Sequence, residues 1–159
     1  MIYTNFKRII STILAVLLVF SAVGCSDAKS YDSVEIAEEI LEVAAFSEMK
    51  ELSGSSLPSY FIFGDGSVKR YNVWVSANGE SADTLACFQA KDSEQRSTAI
   101  AGIKQHLTFY SQSFASTMEY QKIEKRLLVE VGDVIVLVIC NDTAPVWDYL
   151  SGIGAKEVI

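Results

Sequence analysis

A chain of 159 residues, half of them apolar, is sized for one modest domain with a real core. Lys and Arg number 13 against 20 Asp and Glu, and two of the basic residues, Lys7 and Arg8, stand in a stretch of 24 residues without an acid. From residue 25 onward the balance is 11 basic against 20 acidic, a net charge of −9. That charge argues against nucleic acid as a partner and against electrostatic adsorption on an anionic membrane.

The N-terminus reads in three parts. Lys7 and Arg8 form a positive start, Ile9 to Phe20 an apolar run, and Ser21-Ala22-Val23-Gly24 a small-residue exit into Cys25. This is the layout of a secretory signal peptide over residues 1–24. The apolar stretch falls short of the ~20 residues that span a bilayer comfortably. Ala22-Val23-Gly24-Cys25 resembles the lipobox of bacterial lipoproteins, in which the Cys sulfur takes a diacylglyceryl group and the chain is cut before it. Cys25 is therefore the expected lipidation site. Residues 25–31 are a polar tether, and the expected location is the extracytoplasmic face of the cell membrane, with the lipid on Cys25 as the membrane contact. An uncleaved signal anchor is the plainer alternative.

One domain is expected over residues 32–159. Asp32 and Glu35 have capping-box spacing ahead of a helix whose Ala37, Ile40, Leu41 and Ala44 share a face. Glu35, Glu38, Glu39 and Glu42 take the other side. Residues 53–59 read as a loop, and Gly64-Asp65-Gly66 as a turn. Tyr71, Val73 and Val75 alternate with Asn72, Trp74 and Ser76, which predicts a strand ending at Asn78-Gly79. Thr84 to Ala90 is the next strand.

Asp92 then caps a long helix with Ile100, Ile103, Leu107, Tyr110 and Phe114 on its stripe. A polar stretch with a short helix, 117–125, precedes a hairpin around Gly132-Asp133. Val134 to Ile139 is apolar at every position, which predicts a central strand covered on both faces. A last helix is expected over 146–153. The order α-β-β-α-β-β-α predicts a two-layer α+β fold with a mainly antiparallel four-stranded sheet.

Several local phrases carry a family likeness. They are Ala45-Phe46-Ser47-Glu48-Met49, Tyr60-Phe61, Ser76-Ala77 with Ser81-Ala82-Asp83, and Ala86-Cys87-Phe88-Gln89-Ala90-Lys91-Asp92. On these the chain, over roughly residues 33–142, resembles a bacterial lipoprotein family with a domain of unknown function, domain-of-unknown-function family 4358. The resemblance implies fold, lipid anchoring and an extracytoplasmic place. It implies no catalytic residue and no activity.

Candidate chemistry is sparse. Ser47-x-x-Lys50 has the spacing of penicillin-interacting enzymes, but the companion motifs are absent, and a chance match at a helix end is expected. His106 is the sole histidine, so it makes no His-based metal site; it reads as a boundary residue of the long helix or as a contact residue. Cys87 and Cys140 fall in strands, where either free buried thiols or a disulfide is open. Gly64-Asp65-Gly66 and Asn141-Asp142 read as turns rather than cation loops. Trp74 and Trp147 are candidate contact residues if exposed. No residue set calls for a cofactor.

The expected function is a non-catalytic binding or accessory module with a protein or cell-envelope partner. One alternative is a small cell-wall or extracellular hydrolase that assembles Ser, Asp and His by folding. Another is a structural module that self-associates through Val134–Ile139.

Overall fold

A computed structural model describes residues 31–63 and 68–158. The signal peptide, Cys25 and the Gly64-Asp65-Gly66 turn lie outside the described residues.

Ten regular elements follow one another: α1 (Ser33–Val43), β1 (Met49–Glu51), β2 (Val68–Ser76), β3 (Thr84–Ala90), α2 (Ser93–Phe114), α3 (Tyr120–Glu124), β4 (Leu127–Val131), β5 (Val134–Ile139), α4 (Ala144–Gly152) and β6 (Lys156–Glu157). A 3-10 turn, Leu57–Ser59, sits between β1 and β2. The long helices start where the capping residues stand. The Asp32 carboxylate accepts from the Val34 N–H and that of Asp92 from the Gln95 N–H, each satisfying a donor the helix leaves orphaned.

The fold is α+β with one antiparallel sheet, but it corrects the expected four strands and two layers. The sheet has six strands in the order β1-β2-β3-β5-β4-β6. The added strands, β1 and β6, are edges of three and two residues. They exist by pairing with Trp74–Ser76 and with Val129–Glu130. Runs that short carry no legible period-2 pattern. The order of elements gains β1 and β6, and the short helix expected over 117–125 is α3.

Helices cover both faces, giving three layers. Even-numbered side chains of β3 and odd-numbered ones of β5 (Ala86, Phe88, Ile135, Leu137) pack with Ala99, Ile103 and Leu107 of α2. The opposite alternation (Leu85, Cys87, Val136, Val138) packs with Ile36, Ala37 and Ile40 of α1 and with Val146 and Leu150 of α4. Strand period 2 sends neighbours to opposite faces, so strands apolar at every position need helices on both sides.

β3 and β4 are each antiparallel to β5, so they run parallel to each other with β5 between them; α2 and α3 make the crossover. β5 has both faces covered and both edges paired. It offers no free face or edge to a second copy, which removes the route expected for self-association. Among the described residues no helix is long and apolar enough to cross a membrane.

Candidate functional site

The segment Leu57–Phe63 runs as a strap across α2. Phe61 is buried under it, edge-on to Phe88 at 5.0 Å between ring centroids and stacked on Phe63 at 5.8 Å. The strap can lie this close because α2 carries Gly102 there. A Cβ at that position would stand 2.6 Å from the Ile62 carbonyl oxygen and 3.0 Å from the Phe63 ring. A glycine inside a helix costs about 1 kcal/mol against alanine; here it seats the strap.

Strap and helix enclose a cleft of about 230 Å³, lined by Tyr60, Ile62, Gly102, Gln105, His106 and Phe109 among others. Ile62 is 65% exposed and Phe109 55%, so two large apolar side chains stand in water on the rim of one small concavity.

His106 belongs to the wall of this cleft and is only 9% exposed. Its ring lies 4.3 Å from that of Phe61 and 4.9 Å from that of Tyr110, one helical turn on. Burial among these rings lowers the imidazole pKa to about 4, against a weaker opposing effect of its hydrogen bond to the Tyr60 backbone. At neutral pH the ring is uncharged. Its Nε2 is buried with no hydrogen-bond partner. His106 is thus a core residue facing rings rather than a triad base: neither a carboxylate nor a hydroxyl is bonded to it.

The polar groups that folding does gather lie elsewhere, at the β2–β3 connection. Asp83 is fully buried and accepts from Lys122 Nζ at 2.9 Å and from the Ser47 N–H at 2.7 Å. Lys122 Nζ also reaches Glu119 at 2.8 Å and Ser81 Oγ at 3.0 Å, which uses all three of its donors. Glu119 in turn accepts from the Ser81 hydroxyl and the Ala82 N–H.

Ser81 beside Lys122 has the look of a Ser–Lys dyad, but the charges forbid that chemistry. A lysine base must be neutral. Burial favours that for Lys122, yet its bonds to Glu119 and Asp83 outweigh burial and hold its pKa above the usual lysine range. The Ser81 proton is already donated to Glu119. The knot is an anchor for the Ser81-Ala82-Asp83 turn. It joins three distant segments, and nothing local in the sequence announces the partnership of Lys122 with Asp83.

The remaining candidates are dispersed. Trp74 and Trp147 are half-buried and pack against the core on the α1–α4 side, away from the cleft. Ser47 and Lys50 do not share a helical turn: α1 ends at Val43, Ser47 gives its N–H to Asp83, and Lys50 pairs with Val75 in β1. Cys87 and Cys140 are free and buried, so the disulfide left open by the sequence is not formed. Cys87 stands opposite Val136 in the ladder, four residues along β5 from Cys140, roughly 13 Å at strand rise and beyond disulfide reach.

Asp142 shapes the turn into α4, accepting from the Ala144 N–H and, through its carbonyl, from the Cys140 thiol. A wider groove of about 550 Å³ runs beside β4 and β6, with Lys104, Arg126, Glu124 and Glu157 mixing charges along it, and none of the buried unpartnered atoms lines it. Among the described residues no three His, Cys, Asp or Glu side chains gather as a metal site.

These features define a three-layer α+β domain with an apolar cleft under a strap and a buried ionic knot at one turn. The profile of the family named Domain of unknown function (DUF4358) matches residues 42–140, well over half of the chain, and the protein belongs to that family. The matched span contains His106 and every member of the knot. No curated protein and no solved structure matches the chain.

Proposed function

We propose that the protein is a lipid-anchored, extracytoplasmic binding module that does no catalysis and makes its contact at the His106 cleft. The cleft carries the binding part: two exposed apolar side chains stand on its rim, and His106, whose buried Nε2 has no partner, belongs to its wall. The anchor rests on Ala22-Val23-Gly24-Cys25 behind an apolar run. Two acyl chains at ~0.8 kcal/mol per buried CH₂ hold a protein stably on a membrane.

Mass spectrometry of the native N-terminus tests the anchor. A mature chain starting at lipid-bearing Cys25, absent from a Cys25→Ser chain, is expected. An unlipidated chain that still begins at Met1 would overturn it.

A further inference from the structure

Resting on that reading, we infer that the cleft takes a neutral single-ring ligand bearing one hydroxyl donor, of the phenol class, with His106 Nε2 as the acceptor.

Three observations converge on this chemistry. The first is the state of the imidazole. One of its nitrogens is engaged with the Tyr60 backbone, and a hydrogen bond that favours the charged ring is one the ring donates to a carbonyl. In a neutral imidazole the other nitrogen, here Nε2, then carries a lone pair and no proton. Any group that satisfies it must donate. An anion or an ether oxygen, which can only accept, is excluded, and so is a carboxylate.

The second observation is the surroundings. Tyr60, Phe61 and Tyr110 present rings around the imidazole, with Ile62 and Phe109 on the rim. A charged ligand would lose its hydration there without a counter-ion, whereas an apolar ring gains contact with Tyr60, Ile62 and Phe109 in the lining. The third is size. About 230 Å³ lies below the roughly 300–1,000 Å³ of sites for drug-sized ligands, which fits one ring with a small substituent. Ile62 and Phe109, being exposed, are free to change rotamer as the ring passes them towards Nε2.

The test uses a pair of probes that differ by one hydroxyl, p-cresol and toluene, titrated into the protein while the ¹⁵N resonances of its single imidazole are followed. p-Cresol is expected to move the Nε2 resonance and to bind at least tenfold more tightly than toluene. A His106→Phe chain, shown folded by its amide spectrum, is expected to lose that preference, and a His106→Gln chain, which keeps an acceptor, to retain part of it. Equal binding of both probes, or an undiminished p-cresol preference in His106→Phe, overturns the donor requirement and leaves the cleft as an apolar contact. If neither probe perturbs the cleft residues, the ring-ligand inference is overturned while the binding-module reading stands.

Discussion

Asp83 and Lys122 meet at 2.9 Å across 39 residues of chain, one at the mouth of β3 and the other on α3, and the carboxylate has no contact with solvent. A buried pair of this kind is costly to break because the partner left behind is an unsatisfied charge. Lys122→Met is therefore expected to destabilise the domain by about 3–5 kcal/mol in urea denaturation. Asp83→Asn is expected to cost less, since Lys122 keeps Glu119. Equal stability of Lys122→Met and the parent chain would show that the knot contributes nothing.

The same groups set the acid limit of the fold. Burial pushes the Asp83 and Glu119 carboxyls up. For Asp83 the Ser47 N–H and Lys122 outweigh it, and for Glu119 Lys122 and the Ala82 N–H do, so both end below their usual range. A depressed carboxyl adds stability that is present above its unfolded value, about 4, and is lost as pH falls through its folded one. The share of Lys122, whose pKa is raised, is lost only when pH rises past about 10.4. Urea midpoints measured from pH 5 to pH 2 should fall more steeply for the parent than for an Asp83→Asn, Glu119→Gln chain.

His106 acts in a higher window. Its folded pKa of about 4 lies below the ordinary 6.5, so the native state resists protonation that the unfolded chain accepts. That stability is whole above pH 6.5 and drains away as pH falls towards 4, in total about 3 kcal/mol at 1.36 kcal/mol per unit. A His106→Phe chain should fall less than the parent over this interval. A histidine resonance titrating near 6.5 in the native protein would contradict the burial described.

Two glycines make an internal comparison. Gly102→Ala brings a Cβ against the Ile62 carbonyl, a backbone atom, and should cost about 1–3 kcal/mol despite the better helix propensity of alanine. Gly152→Ala in α4 meets nothing within 4 Å and should be neutral or gain up to about 1 kcal/mol. Thermal melts of the two chains decide it. Gly102→Ala melting at or above the parent would show that the strap is not seated on the helix.

The two core thiols should be inert. Burial pushes both upward, Cys87 far beyond the range in which a thiolate forms, and the Cys140 thiol is engaged with the Asp142 carbonyl. Iodoacetamide is expected to modify neither in the native protein and both in denaturant. A Cys87–Cys140 linked peptide in a non-reducing digest would contradict the strand register.

What the sequence made legible is what repeats along it. The stripe of α2, the bounds of β3 and the doubly apolar β5 follow from periodicity, and the caps at Asp32 and Asp92 from local chemistry. The edges β1 and β6 escaped because pairing, not pattern, makes them strands. The third layer escaped because a period in α1 shows that one face is buried but not against which side of the sheet. His106 was visible as the sole histidine, while the cleft around it was not. The one local sign was Gly102, an isolated glycine inside a helical stripe, which marks a close approach without naming the approaching chain. Asp83 and Lys122 show least of all, being brought together only by the crossover.

The centre of the sheet is also a seam between two half-sheets. β2–β3 and β4–β5 are each joined locally, but β3 and β5 meet only after the chain between them, the whole of α2 and α3, has been made. Until then each hairpin carries its most apolar strand on an open edge. Val134–Ile139, six β-prone residues with no charge, proline or glycine, matches the composition of segments that stack into fibrils. A chain stopped at Asp92 would present the edge of β3 with nothing to close it. The mating of the two half-sheets is therefore what closes the apolar edges of both β3 and β5.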